Sequence, residues 1–382
     1  MKYTLMFVFF LITSPIADAA EFETISIKHP KFSEMLNFNI VLPPNYKKND
    51  SKSYILMFNF HPRANNYLNG MHDWLSHNGE WPWLETIIVT PALGNSVGVL
   101  FDETGKTTPL LDFFENSLFP EIDRKYRTNG FKIMSGFRVN ATLVLSALIN
   151  KPEMINAYFV TSPQLSDNYA EILSTAADKL KRLNNKPRFL YFTQGDSIKE
   201  ETQQASYYKL HMILKSSSPK SLEWHHKDLS DNYFMSMPLL TTVVDIEKLF
   251  NDIHSGLEPT SDISQKGISE IVKHYEYLSN QKYGFKVSPK KSIEKRGFHL
   301  LKSSHEQGIM ILQEATKLFP DDAYSYHNLA RGYGEIGDYE NALIQQKVAV
   351  SQSETMLTWH RNRMLEFLNK FNNKLTNKGS DE

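Results

Sequence analysis

Short apolar runs alternate along the first two thirds of the chain with segments whose apolar residues recur at helical spacing. The runs have the length and composition of strands buried on both faces of a sheet. The predicted strands are 54–60, 85–93, 131–136, 157–165 and 188–196, and the predicted helices are 110–126, 140–150 and 170–184. Strands that alternate with helices form a parallel sheet covered on both faces. The pattern therefore predicts an α/β fold.

The pattern changes near Asn251, where a polar, turn-rich stretch begins and all later segments have helical periodicity. A shift of this kind marks a domain boundary. We predict an α/β domain over 20–250, a linker and helix over 251–288, and an all-α unit over 289–382.

The C-terminal unit has small residues at a regular spacing. Ala342 and Ala349 lie 34 residues after Gly308 and Ala315, and Ala330 precedes a turn at Gly337. This period is typical of tetratricopeptide repeats (TPR), in which small residues let paired antiparallel helices approach closely. The unit resembles such repeats and is expected to offer a surface for a protein or peptide; an unrelated helical hairpin is the alternative.

The N-terminal segment is typical of an export signal. Lys2 precedes an apolar run that ends near Ile12, and small residues follow up to Ala17-Asp18-Ala19. The run is shorter than the roughly 20 residues that a membrane-spanning helix needs. We therefore predict a signal peptide over 1–19, with no stable membrane anchor, and a periplasmic or secreted protein.

Charge and composition narrow the range of partners. The formal net charge is -1 and the cysteine count is 0. A nearly neutral chain has no overall field that would attract nucleic acid, so no nucleic-acid partner is expected. Neither H-E-x-x-H nor another dense ligand spacing appears, and we expect neither a metal site nor a cofactor.

The stretch 131–148 runs from a predicted strand through a glycine turn into a predicted helix. In α/β-hydrolases this setting carries the G-x-S-x-G motif, whose serine is the nucleophile. Here the same frame reads Gly136, Phe137, Arg138, Val139, Asn140. Arginine stands at the nucleophile position, and asparagine replaces the second glycine.

Residues 20 to about 250 resemble the esterase family that includes siderophore (enterobactin-type) esterases and esterase D. The likeness is carried by IVLPPNY, by YILMFNF, and by the long block from FPEIDRKY through the glycine turn to VTSPQL. The resemblance implies an α/β-hydrolase fold with a serine, histidine and acid triad. It also implies that the histidine position is Asn232 and that the acid position, after the strand RFLYFTQG, is Asp196 or Glu200.

Two of the three triad roles are therefore vacant. A guanidinium stays protonated and cannot attack an acyl carbon, and an amide cannot act as a general base. The rival nucleophile is Ser96, because residues 94–98 also read G-x-S-x-G, although the following residues do not have a helical pattern. Among the histidines, His61, His225 and His226 are candidates for rescuing activity. If the site has not lost its activity, the alternative is an active serine esterase that acts on a siderophore or another small ester.

Arg138 has two possible roles. At a helix N-terminus its planar charge would favour an anionic small molecule, with His61 and Asn140 as further ligand-binding residues. Alternatively it pairs with the leftover acid, Asp196 or Glu200, because a buried arginine needs a partner. The sequence predicts an exported, esterase-like protein that has lost hydrolysis and acts in ligand or protein binding.

Overall fold

The computed structural model describes residues 20–28, 35–44, 46–48, 51–77, 81–93 and 107–378. These residues form two compact units, and the division falls between Lys248 and Leu249. The predicted signal peptide, Ser96 and the rest of its 94–98 motif lie outside the described residues.

The first unit is built on eight strands. They are β1 (Glu21–Lys28), β2 (Met35–Leu42), β3 (Tyr54–Asn59), β4 (Thr86–Pro91), β5 (Thr128–Phe137), β6 (Ala157–Thr161), β7 (Arg188–Gln194) and β8 (Leu222–Asp228). They form one sheet in the order β1-β2-β4-β3-β5-β6-β7-β8. Strand β2 pairs antiparallel with β1 and β4, and all other neighbours are parallel. The predicted, mostly parallel α/β sheet is confirmed.

Helices cover this sheet. They are α1 (Ala64–His77), α2 (Thr108–Phe113), α3 (Phe119–Lys125), α4 (Val139–Asn150), α5 (Ile172–Lys181), α6 (Gln204–Ser217) and α7 (Met237–Leu249). The predicted helix over 110–126 is interrupted by a π-helical turn at Phe114–Leu118. The predicted helix over 170–184 begins later than expected, because Ala170 and Glu171 have positive φ angles.

The apolar patterns of the central strands follow from burial on both faces. Every residue of β3, β4 and β6 is buried, as expected for strands in the middle of a parallel sheet. One face carries the main core, in which Met134 and Val160 join apolar side chains of α4 such as Val144. Residues of the opposite parity on β5 and β6 lie on the other face, so Ser135, Phe137, Phe159 and Thr161 share a surface.

The described residues of the second unit form helices and no strand. These are α8 (Asn251–His254), α9 (Asp262–Gln265), α10 (Ile268–Tyr277), α11 (Lys290–Leu301), α12 (His305–Leu318), α13 (Ala323–Glu335), α14 (Tyr339–Gln352) and α15 (Thr358–Lys378). A π-helical turn, Leu278–Tyr283, extends α10.

Side chains at the helix starts and small residues at the contacts explain this arrangement. Asp322 caps α13 by accepting from the backbone N–H of Ser325, and Ser304 caps α12 in the same way. Ala330 and Ala342 are fully buried beside Phe371, where larger side chains would separate the helices. Assignment of these helices to the tetratricopeptide family stays a prediction.

Candidate functional site

The turn between β5 and α4 has the geometry of a nucleophile elbow. Arg138 joins the two elements with φ 57 and ψ -124, a strained conformation for a residue with a side chain. Gly136 permits the turn, since a Cβ at this position would clash with the backbone carbonyl of Asn140. The elbow is therefore present, with an arginine where a nucleophile would project.

The Arg138 side chain is exposed, and its guanidinium lies over the ring of Phe234 with Cζ 5.4 Å from the ring centroid. Phe234 also packs on Phe137, with ring centroids 4.7 Å apart. No ion pair joins Arg138 to another described residue. The expected pairing of Arg138 with Asp196 or Glu200 is therefore wrong: an exposed guanidinium is hydrated and does not require a carboxylate.

The other two triad positions lie at the carboxyl ends of β7 and β8. Asp196 is exposed, and its Oδ1 accepts from the backbone N–H of Asp231 at 3.3 Å. Asn232 is also exposed, and its side-chain amide donates to the carbonyls of Leu229 and Ser230. The two loops thus meet as the esterase resemblance implies, but the amide of Asn232 is used to hold its own turn.

Glu200, the second candidate for the acid position, has a structural role. It is buried, and its carboxylate accepts from the backbone N–H of Gly195 at 3.0 Å and from the Ser197 hydroxyl at 3.0 Å. These bonds fix the turn after β7. Asp196 is the carboxylate that contacts the loop of Asn232, so it is the better match to the acid position.

The candidate histidines do not converge on the elbow. On β8, His225 contacts Glu223 through its Nε2 atom at 2.9 Å. His226 stacks on Phe192, and burial together with nearby His211 lowers its pKa. His61 is exposed after β3; its Nδ1 accepts from the backbone N–H of Arg63 at 3.2 Å, and partial burial lowers its pKa.

A cavity of 310 Å³ lies between the second face of the sheet and helix α7. Its apolar lining comes from Phe137, Phe159, Met235, Pro238 and Leu239, and its polar lining includes Asn59, Ser135, Thr161, Thr241, Thr242 and Asp245. Of the three residues predicted to bind a ligand, His61 lines this cavity, whereas Arg138 and Asn140 do not. Gly136 and Phe137 of the elbow do line it, so the elbow borders the cavity although the Arg138 side chain does not contribute to the lining.

Side-chain alternation on the strands creates the polar part of this cavity. Ser135 accepts a hydrogen bond from the Asn59 amide at 2.7 Å, across the β3 and β5 pair. The hydroxyls of Thr161 and Thr241 lie 2.8 Å apart and link β6 to α7. The Thr242 hydroxyl donates to the carbonyl of Pro238. Most of the polar lining is therefore already hydrogen-bonded.

Asp245 is the exception. It is 1% exposed, its Oδ1 is buried without a hydrogen-bond partner, and no described residue donates to its carboxyl group. Burial raises its pKa well above the ordinary value for an aspartate. The sequence reasoning missed this residue. The available signal was a single carboxylate flanked by Val244 and Ile246 within an apolar helical stretch.

The described residues contain no group of three or more histidine, aspartate or glutamate side chains placed to hold a metal ion. In the same part of the chain, no helix combines the length and apolar character needed to cross a membrane.

Comparison with known proteins identifies the fold. No family model and no curated protein matches the chain. An IroE-like serine hydrolase from Shewanella oneidensis superposes with a TM-score of 0.59 at 18% identity, covering 78% of this chain and 100% of the hydrolase. An uncharacterised protein from Capnocytophaga ochracea gives a TM-score of 0.61 at 16% identity, covering 92% and 99% of the two chains.

A third similar structure, the BES protein from Bacillus cereus, has a TM-score of 0.52 at 15% identity and covers 64% of this chain and 98% of its own. At such identities the likeness establishes architecture and leaves chemistry to the site residues. The chain has an α/β-hydrolase fold.

Proposed function

We propose that this protein binds an anionic small molecule at the elbow and does not hydrolyse esters. One observation carries the proposal: the strained elbow is kept, but the side chain that it presents is Arg138, exposed and without an ion-pair partner among the described residues. The proposal starts from the esterase-like fold and departs from the activity named for the Shewanella structure.

Hydrolysis by a serine triad needs a nucleophile and a base to remove its proton. A guanidinium supplies neither function, because it stays protonated throughout the physiological range. At the histidine position, the Asn232 amide cannot accept a proton and is bonded to the backbone of its own turn. Asp196 then has no imidazole to orient. Since losing one triad member removes most of the rate, losing two leaves no serine chemistry at the elbow.

Anion binding is supported by the charges around the elbow. Arg138 precedes α4, a helix of 12 residues, whose first N–H groups and dipole favour negative charge. The Phe234 ring holds the guanidinium by cation–π contact, which leaves its N–H groups available to a carboxylate or phosphate.

Covalent labelling tests the loss of nucleophilic chemistry. The intact mass of the purified protein is measured after treatment with a fluorophosphonate, which adds to activated serines. The proposal predicts no mass increase. A single adduct that disappears in Ser96→Ala would instead support the alternative, an active serine esterase on a siderophore or other small ester.

Thermal unfolding with butyrate tests the anion site. Butyrate should raise the melting temperature, and butyramide, its uncharged analogue, should not. The effect should be lost in Arg138→Gln and retained in Arg182→Gln, which removes an exposed charge from the end of α5. Equal stabilisation of both variants by butyrate would contradict the proposal.

Two further parts of the proposal concern the rest of the chain. The helical unit, which begins at Leu249, is proposed to bind a protein or peptide, on the basis of its repeat-like spacing. Export to the periplasm or medium is proposed from residues 1–19. N-terminal sequencing of the protein recovered from the periplasm of a bacterial host should begin at Ala20.

A further inference from the structure

The cavity beside the elbow contains an acidic side chain that has no hydrogen-bond partner among the described residues. Asp245 is almost completely buried, lines the cavity, and has an unpaired carboxyl oxygen. We propose that this cavity binds a small primary amine on an apolar body, with Asp245 as the counter-ion. The inference is independent of the proposed anion site, because Arg138 does not line the cavity.

Asp245 is unfavourable in its present surroundings because its carboxyl is buried and unpaired. A buried polar group without a hydrogen bond destabilises the fold, and buried carboxylates are normally paired with cations or several donors. Nearby polar groups do not serve it: the Thr242 hydroxyl donates to Pro238, and Thr241 is bonded to Thr161. No described residue supplies the missing partner, which leaves a bound ligand to provide it.

The hydrogen-bonding character of the lining favours a donor-rich ligand. The Thr242 hydroxyl has committed its hydrogen to the Pro238 carbonyl, so its oxygen can only accept from a ligand. An ionised Asp245 also only accepts. An ammonium group carries three donors and a positive charge, so it satisfies both groups and neutralises the buried carboxylate.

The remaining lining sets the size and shape of the ligand body. The cavity volume of 310 Å³ lies near the lower end of the range for small-molecule sites. Phe137, Phe159 and Leu239 contribute apolar surface suited to an aromatic ring or a short branched chain. Arg63, the one cationic side chain among the described lining residues, is exposed and therefore screened by water from the Asp245 carboxyl.

Phenethylamine is the probe that matches this lining, and 2-phenylethanol is the neutral analogue with the same apolar body. Binding of both is measured by calorimetry and by the shift in melting temperature, using the full chain. The amine should bind the unmodified protein about 10- to 100-fold more tightly than the alcohol, because a charge-assisted hydrogen bond is stronger than a neutral one.

Four variants distinguish binding in the cavity from binding elsewhere on the surface. Asp245→Asn keeps the shape of the side chain and should abolish the preference for the amine. Asp178→Asn removes the same charge from an exposed position on α5 and should keep it. Leu239→Trp fills the cavity from a position that is 44% exposed, so it should block both probes without disturbing the core. Arg138→Gln should leave amine binding unchanged.

The result that supports the inference is amine-selective binding that is lost in Asp245→Asn and in Leu239→Trp. Equal affinity for the amine and the alcohol, amine binding that survives in both variants, or no binding of either probe would overturn it. None of these results bears on ester hydrolysis or on butyrate binding. The amine site and the proposed function are therefore tested by separate experiments.

Discussion

Replacing Asp245 with asparagine is expected to stabilise the free protein near neutral pH. The carboxyl is 1% exposed and unpaired, so its ionised form lacks the solvation that it has in the unfolded chain. Burial accordingly raises its pKa in the folded state. As pH rises above the unfolded pKa, the unfolded chain ionises first, and the folded state loses stability until its own pKa is passed. Asparagine removes this penalty.

Proton linkage sets an upper limit on the stability that the folded protein loses through Asp245. An aspartate in an unfolded chain has a pKa of about 3.9, and each further pH unit over which only the folded form stays protonated costs about 1.4 kcal/mol. At about pH 7 the penalty therefore cannot exceed about 4 kcal/mol. The asparagine amide would be buried without hydrogen-bond partners, as the protonated carboxyl is. The cost of burying an unpaired polar group is therefore about the same in the two proteins. We therefore expect Asp245→Asn to raise the free energy of unfolding at about pH 7, by no more than about 4 kcal/mol.

Urea unfolding at about pH 4 and about pH 7 measures this difference, with Asp178→Asn as the control for removing an exposed charge. The tyrosines near Asp245 do not ionise between about pH 4 and about pH 7, because their pKa values are raised above the ordinary value of about 10. Burial raises the pKa of Tyr67 to about 12, and the pKa of Tyr191 is also raised by burial, with a further contribution from the charge of Asp245. Partial burial lowers the pKa of His61, which lines the cavity in both proteins.

The stability gain from Asp245→Asn should be no more than about 0.5 kcal/mol at about pH 4, where the unfolded carboxyl is only about half ionised, and larger at about pH 7. A gain that is equal at the two pH values would refute the linkage argument. A loss of stability at about pH 7 would show that the carboxylate is ionised and satisfied in the fold.

Other substitutions test the elbow and the helical unit. Gly136→Ala should destabilise the protein by about 3 kcal/mol or more, because its Cβ meets backbone, whereas Gly70→Ala, where space is open, should change urea stability by less than about 1 kcal/mol. Arg138→Gly should raise stability by about 1 kcal/mol by relieving the positive φ, and an unchanged urea midpoint would contradict the strain. Burial raises the pKa of Glu294 to about 7, so stability should fall more steeply between about pH 4.5 and pH 7 in the unmodified protein than in Glu294→Gln; parallel pH profiles would contradict this.

The central strands and the elbow could be predicted from the sequence. Strands buried on both faces leave unbroken apolar runs, and β3, β4 and β7 were found where those runs occur. The elbow could be predicted because Gly136 stands between a strand pattern and a helix pattern, and the close approach of the Asn140 carbonyl requires a residue without a Cβ.

The surroundings of the site could not be predicted, because they depend on contacts between distant parts of the chain. Phe234 reaches Arg138 only through the loop after β8, and no local pattern signals that contact. The pairing expected for Arg138 failed because its exposure is a tertiary property. Asp245 was missed because no helix was predicted for its segment, although a carboxylate between Val244 and Ile246 is a signal of an unusual environment.

The rate of p-nitrophenyl butyrate hydrolysis by the purified protein decides whether the elbow has lost its hydrolytic chemistry. With Arg138 at the elbow and Asn232 at the histidine position, we expect a rate equal to that of buffer and unchanged by Ser96→Ala. Hydrolysis that saturates with substrate and is lost in Ser96→Ala would show a working nucleophile elsewhere in the fold, and the account of a binding protein would be wrong.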